Sequence, residues 1–164
     1  DITIKNDSTF YFTLYIYTGD DSFILVDSIY SGVVEPYLYS SEDVEYTFIV
    51  TGNTQFEQVN NPDCLEAYLP LYCWMYNGNK LVFVNDEVYD VFMIEIDRLL
   101  TLIDLNYYAH SKTCEGTKLI QGLLAAIYAN YIYAYELSNA EIFLKKYYHC
   151  DDIQTFKELI TGLF

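Results

Sequence analysis

Three aspartates spaced seven residues apart have the type and spacing that most suggest a chemical role. Asp90, Asp97 and Asp104 lie in a segment with helical periodicity, and Glu87 precedes Asp90 by about one turn. Residues seven apart share a helix face, so this spacing predicts an acidic stripe about 20 Å long. Neighbouring carboxylates would be about 10 Å apart, beyond the ~5 to 9.5 Å of a hydrolytic pair. We interpret the stripe either as a solvated helix face or as a docking surface for Lys and Arg.

Histidine and cysteine form a second candidate group. His110 and Cys114 are four apart, and His149 and Cys150 are adjacent. Zinc sites use these residue types, but they usually take closely spaced pairs from short loops, and this chain has no Cys-x-x-Cys. It also has neither a Gly-x-Ser-x-Gly motif nor a glycine-rich phosphate loop. The sequence therefore predicts no metal, no cofactor and no catalytic residues.

Tyrosine, with 19 of 164 residues, supplies a candidate binding surface. Tyr11, Tyr15 and Tyr17 alternate with apolar residues and so share the outer face of a predicted strand. Asp20 and Asp21 follow in the next turn. Tyrosine offers a large, rigid contact area at low entropic cost. This face is predicted to be a partner-binding patch or, if helices cover it, a second layer of the core.

The chain is strongly acidic, with 24 Asp and Glu against 8 Lys and Arg and a net charge of −16. A field of this sign repels nucleic acid and anionic membranes and speeds association with basic partners. Because 52% of the residues are apolar and 18% aromatic, the acid surrounds a folded core rather than a disordered chain. We expect a basic protein partner, no direct nucleic-acid binding and no membrane association.

The features that bear on the cellular compartment disagree. The first residue is Asp1 and Asn6-Asp7-Ser8 is a glycosylation sequon, both of which suit a secreted protein. The four cysteines, Cys64, Cys73, Cys114 and Cys150, are too few for a disulfide scaffold. Free thiols in the core and one or two disulfides are both open alternatives. No signal-peptide pattern and no apolar run of about 20 residues is present. We expect a soluble protein, cytoplasmic rather than secreted.

The first half of the chain has the patterns of β structure. Apolar alternation predicts strands at Phe10 to Tyr17, Phe23 to Ile29 and Val44 to Val50. The first two are joined by a turn at residues 18–22. Asn77-Gly78, between two further apolar runs, predicts a hairpin with a type I′ turn.

The second half has the patterns of helices. No Gly or Pro occurs from residue 87 to Glu115, which favours a long helix carrying the stripe, although 88–96 would also suit a buried strand. A second helix, from Lys118 to about Glu136, is apolar on nearly all sides and should be central. Ser138 and Glu141 form a potential capping box for a third helix, and a fourth should end near residue 162.

These patterns predict a single α+β domain over residues 1–164, β-rich over 1–84 and helical over 87–164. An N-terminal antiparallel sheet of about four or five strands would pack against about four C-terminal helices. The predicted function is non-enzymatic: an acidic protein, of viral or mobile-element type, that engages a basic protein partner as an inhibitor, an immunity protein, or a pathogen or phage antagonist of a host factor. One alternative is a structural subunit that forms homo-oligomers through its tyrosine-rich sheet face. Another is a small hydrolase with an acidic site.

Overall fold

A computed structural model describes residues 2–4, 9–40, 46–60, 67–85, 87–107 and 112–164, with only the backbone of residues 2–4, 106 and 107. Within these ranges seven strands precede five α-helices, which confirms the α+β class. The chain forms two compact units. The β-sheet unit comprises Asp1–Thr54 and Leu71–Glu87, and the helical unit comprises Gln55–Pro70 and Val88–Phe164. The single domain over residues 1–164 stays a prediction.

The β-sheet unit contains two antiparallel sheets, where the sequence predicted one. The first has the strand order β1-β2-β3 and the second the order β4-β5-β6-β7. The strands are β1 (Ile2–Ile4), β2 (Phe10–Gly19), β3 (Ser22–Gly32), β4 (Tyr37–Ser40), β5 (Thr47–Gly52), β6 (Leu71–Tyr76) and β7 (Leu81–Phe83). With three and four residues, β1 and β4 are too short for alternation to reveal them.

Apolar side chains and one hydrogen bond join the two sheets. Phe12 of the first sheet packs in one buried cluster with Ile49 and Leu81 of the second. The Gly52 N–H donates to Ser31 Oγ at 2.9 Å, which ties β5 to β3. Full burial of each such side chain stabilises the fold by about 1.5–3 kcal/mol. This cluster therefore anchors the end of the β2–β3 hairpin that lies away from its turn.

The β2–β3 turn lies within residues 18–22, as predicted, whereas the β6–β7 turn differs in type from the prediction. In the β2–β3 turn Asp20 and Asp21 have φ values of 50° and 57°, the positive values that a type I′ turn requires and that Asp tolerates better than most residues. The β6–β7 hairpin forms as predicted, but its type I′ assignment is wrong because Gly78 has positive φ and Asn77 does not. Asn77 Oδ1 instead accepts two backbone N–H groups of the same turn, each at 3.1 Å.

The helical unit contains nearly all of a 3-10 helix, Thr54–Val59, and, within the described residues, five α-helices. They are α1 (Tyr89–Tyr107), α2 (Cys114–Leu119), α3 (Gln121–Tyr133), α4 (Leu137–Tyr147) and α5 (Ile153–Thr161). Residues 89–96 are therefore helix and not strand. The second predicted helix divides at Ile120 into α2 and α3, and α3 is buried on nearly all sides, as its composition predicts.

The side chain of Asn60, just after the 3-10 helix, closely approaches the backbone of α3 at Gly122. The Asn60 side chain makes two hydrogen bonds to the backbone of Tyr68. Its Nδ2 donates to the Tyr68 carbonyl at 3.1 Å, and its Oδ1 accepts from the Tyr68 N–H at 3.0 Å. A Cβ on Gly122 would overlap the Asn60 amide. A larger residue at position 122 would therefore displace this amide from its hydrogen bonds to Tyr68.

Helix α3 ends in a Schellman motif with tyrosine where glycine is usual. The Glu136 N–H donates to the Tyr131 carbonyl at 2.8 Å, and the Tyr135 N–H donates to the Ile132 carbonyl at 3.0 Å. Tyr135 has φ of 60° and is 74% exposed. The left-handed conformation costs a residue with a Cβ roughly 1–2 kcal/mol, more than the ~0.5–1 kcal/mol that glycine loses in chain entropy.

Replacing Tyr135 by glycine should therefore raise the free energy of unfolding by about 0.5–1 kcal/mol. Denaturant unfolding at constant pH measures this change. Tyr135→Ala is the matched control, because it removes the ring but keeps the Cβ, and we expect it to leave stability nearly unchanged. Equal stabilisation by alanine would assign the effect to the ring and not to the backbone.

Candidate functional site

The three spaced aspartates lie along the exposed face of α1, as their spacing predicts. Asp90, Asp97 and Asp104 are all exposed, and Glu87 is exposed just before the helix begins. The opposite face is buried and consists of apolar residues: Val91, Phe92, Ile96, Leu99 and Ile103. Because the apolar residues recur at helical spacing, their burial places the opposite face of α1 in solvent. We call the three aspartates on that face, Asp90, Asp97 and Asp104, the stripe.

The stripe carboxylates make no ion pair within the described part of the chain. The basic residue of α1, Arg98, holds Glu95 instead through two hydrogen bonds, both at 2.7 Å. Burial first, and then the negative charge of Asp97, raise the pKa of the nearby Tyr131 hydroxyl. Three exposed carboxylates along one helix face, with no ion pair among the described residues, create a local negative potential.

Two exposed aliphatic side chains accompany the stripe. Ile94 is 65% exposed and Leu105 is 69% exposed, and Ile94 lies about one turn from both Asp90 and Asp97 on the same side of α1. The exposed side therefore combines carboxylates with apolar contact area, a combination found in protein interfaces. Sequence reasoning missed these two residues, although counting four residues on from Asp90 places Ile94 beside the stripe.

The tyrosines of β2 change from packed to exposed along the strand. Tyr11 is half-buried against Tyr30, with ring centroids 4.9 Å apart. Tyr15 and Tyr17, further along the same face, are about half exposed. The rings of Tyr15 and Tyr17 therefore offer accessible surface to a partner, and coverage of this face by helices stays a prediction.

The part of the β2–β3 hairpin near its turn is exposed on both faces. Tyr17 contacts Phe23 with ring centroids 5.2 Å apart, and Phe23, Ile24 and Leu25 are 55–66% exposed. The two aspartates of the turn are exposed beside them. Sequence reasoning singled out the tyrosines and these aspartates but missed the β3 residues, because a continuous apolar run usually indicates a buried strand.

The predicted partner-binding residues divide between the two units. The stripe belongs to the helical unit, whereas Tyr11, Tyr15, Tyr17, Asp20, Asp21 and Glu87 belong to the β-sheet unit. Each group is a candidate surface in its own right.

A disulfide resolves part of the cysteine alternatives. Cys114, at the start of α2, is bonded to Cys150, just before α5, with their Cα atoms 4.5 Å apart. Cys73 is a free, fully buried thiol, and burial raises its pKa to about 12, which makes it unreactive at neutral pH. Cys64 lies outside the described residues.

The disulfide also removes two of the four zinc-ligand candidates, because Cys114 and Cys150 can no longer act as thiolates. His149 remains and is half-buried, while His110 lies outside the described residues. Over the described ranges, no three His, Cys, Asp or Glu residues are grouped as a metal ion would require.

Glu141 joins three helices of the helical unit. Its carboxylate accepts a hydrogen bond from the Tyr128 hydroxyl of α3 at 3.1 Å and pairs with Lys157 Nζ of α5 at 2.6 Å. The predicted capping box is wrong, because α4 begins before Ser138 and Glu141 points to these tertiary partners. The hydrogen bond from Lys157 lowers the pKa of Glu141 despite partial burial, and burial followed by the Glu141 charge raises the pKa of Tyr128 to about 12.

This ion pair predicts a pH dependence of stability. Because the pKa of Glu141 is lower in the folded than in the unfolded protein, its contribution is present above the ordinary glutamate pKa of 4.5 and is lost as pH falls through the folded pKa. Glu141→Gln should therefore reduce the loss of stability between about pH 5 and 3. Thermal unfolding across this range measures it, with Glu57→Gln, an exposed glutamate, as control. An acid loss as steep as in the wild type would contradict the coupling.

Comparisons with protein-family models, characterised proteins and solved structures found no match to this chain. No helix among the described residues is long and apolar enough to cross a membrane. The fold and the candidate surfaces define an α+β protein with an unpaired acidic helix face and an exposed aromatic hairpin.

Proposed function

We propose that this protein is a non-enzymatic binding protein that engages a basic protein partner, as an inhibitor or antagonist of that partner. Its charge supports this function. The β-sheet unit has eleven acidic and two basic residues, and the helical unit has thirteen and six, so the units contribute −9 and −7 to the net charge. Both units therefore attract cations, and a basic partner gains in association rate from either.

The stripe on α1 is the observation that carries the proposal. Exposed carboxylates usually serve only to solvate a helix face. Here they stand beside Ile94 and Leu105, which solvation does not require and which are among the most exposed aliphatic side chains of the helical unit. Lys and Arg side chains form strong charge-assisted hydrogen bonds to carboxylates, and their aliphatic stems cover apolar surface. A basic helix or loop would satisfy both parts of this face.

The disulfide supports a finer proposal for the compartment. Disulfides such as Cys114–Cys150 persist in oxidising surroundings and are rare in the cytosol. We therefore propose that the protein works in an oxidising compartment, against the cytoplasmic expectation. Trapping and counting the free thiols of the protein in its source cells tests this: Cys114 and Cys150 should resist labelling before reduction.

The stripe is tested with charge-matched baits in affinity purification from the source cells. The stripe variant carries Asp90→Asn, Asp97→Asn and Asp104→Asn. The control variant carries three changes at exposed acids away from α1: Glu57→Gln, Glu115→Gln and Asp151→Asn. Both variants lose three negative charges, and both should fold, because exposed charges each contribute no more than about 1 kcal/mol.

We expect the wild type and the control variant to recover the same basic protein, and the stripe variant to recover it at least about tenfold less well. Mass spectrometry with stable-isotope quantification gives the ratio. Equal loss with both variants would show that net charge and not the stripe matters, and recovery of only neutral or acidic partners would overturn the function itself. If the stripe variant unfolds, the carboxylates are structural and the site assignment is wrong.

A further inference from the structure

We propose that the outer edge of β3, over residues 22–26, is a strand-addition site. It would accept an extended segment of a partner protein that is apolar at its centre and carries Lys or Arg at both ends. The inference deepens the proposed function and rests on it for the sign of the partner's charge.

The edge of β3 is open in the described structure. β3 pairs with β2 on one side, and over residues 22–26 no described strand pairs with its other side. β1 pairs with residues 10–12 of β2, so the part of the hairpin near the turn is a two-stranded ribbon. An open edge presents a row of backbone N–H and C=O groups, which an extended peptide can pair.

A β-bulge marks where the regular edge ends. Leu14 lies opposite Asp27 and Tyr15 lies opposite Leu25, which leaves Val26 as an extra residue in β3. Bulges of this kind twist a strand and interrupt its ladder. The part of β3 between the turn and this bulge is thus residues 22–26, with Val26 itself the bulged residue.

The side chains of this ribbon are exposed on both faces. Tyr15 with Leu25 and Tyr17 with Phe23 form cross-strand pairs on one face, and Ile24 lies on the other. All five side chains are about half exposed or more, with exposed fractions of 49–66%. A third strand would cover part of both faces, and three strands are far more stable than two.

The apolar run lacks the usual protection of an edge strand. Residues 22–26, Ser-Phe-Ile-Leu-Val, contain no Lys, Pro or charged residue, whereas natural edges commonly use these to prevent pairing. The charges stand at its ends instead, with Asp20 and Asp21 before it and Asp27 after it. Negative charges at both ends of this segment favour an incoming strand with positive charges at its ends and disfavour one with negative charges there.

This arrangement disfavours a second copy of the chain as the occupant. In an antiparallel pair of β3 strands centred on Ile24, Asp21 of each copy would lie opposite Asp27 of the other. Like charges directly opposite destabilise a strand pair, and each copy carries a net charge of −16. A segment with basic residues at both ends makes both contacts favourable.

The test uses a nine-residue synthetic peptide of alternating valine and threonine with two arginines at each end, and the same peptide with glutamates in their place. Amide hydrogen exchange of the whole protein is followed by NMR with each peptide. We expect the arginine peptide to slow exchange in residues 22–26 and the glutamate peptide to have no effect.

A tip variant, Asp20→Asn, Asp21→Asn and Asp27→Asn, tests the charges. Asparagine tolerates positive φ as aspartate does, and at position 27 it keeps the Oδ1 that accepts the Ser28 N–H at 2.8 Å. The tip variant should bind the arginine peptide about tenfold more weakly. The control variant Glu57→Gln, Glu115→Gln, Asp151→Asn should bind like the wild type.

Three results would overturn the inference. Binding of the arginine peptide without protection of residues 22–26 would place its site elsewhere and leave the proposed function standing. Protection of this segment by self-association, without peptide, would make a second copy the occupant. Absence of binding by both peptides would reject strand addition, while the bait experiment would still decide the proposed function independently.

Discussion

Replacing Cys114 and Cys150 together by serine is expected to lower the free energy of unfolding by about 4 kcal/mol. The disulfide spans 36 residues, and a cross-link over a loop of this length removes about that much chain entropy from the unfolded state at 25 °C. The loop contains α3 and α4, and α3 supplies many of the buried residues of the helical unit. Urea unfolding without reductant measures the difference.

Reductant provides the control for this prediction. Wild-type protein in excess dithiothreitol should unfold at nearly the same urea concentration as the serine variant, and the variant itself should not respond. Neither cysteine belongs to α1 or β3, so the folded serine variant should bind a partner as the wild type does. A variant within about 1 kcal/mol of the wild type would show that the bond contributes little.

Raising the salt concentration from about 50 to 500 mM is expected to slow association with the basic partner at least about tenfold. Over this range the Debye length falls from about 13 to about 4 Å, which screens the field of the −16 chain beyond the first contacts. The dissociation rate should change less, because it depends on short-range contacts. Stopped-flow kinetics at several salt concentrations separates the two rates.

A viscosity-matched series with a neutral osmolyte controls for effects other than screening. An association rate that does not change with salt would contradict electrostatic steering and with it the role given to the charge.

The α1 face could be predicted because two independent periodicities agree. The apolar residues that are buried and the aspartates that are exposed recur on opposite sides of one helix, for example Phe92 and Leu99 against Asp90 and Asp97. Local periodicity decides such a face without knowledge of the tertiary structure. The α+β class followed from the same reasoning.

Features that depend on distant residues could not be predicted. Four cysteines offer six possible single disulfides, and nothing in their spacing favours Cys114 with Cys150. The partners of Glu141, Tyr128 and Lys157, are 13 and 16 residues away, so local rules favoured a capping box instead. A run such as Phe23-Ile24-Leu25 has the same composition at a sheet edge as at a sheet centre, and only the strand order distinguishes them.

NMR titration of the protein with its purified basic partner tests the central claim most directly. With selectively labelled methyl groups, we expect the largest shifts at Ile94 and Leu105, which stand on the exposed side of α1, and small shifts at the buried methyl groups of Ile96 and Ile103. Because all four residues belong to one helix, unfolding or a general charge effect would move both pairs alike. Large shifts elsewhere in the protein, with Ile94 and Leu105 unmoved at saturation, would contradict the assignment of the α1 face as the surface that binds the basic partner.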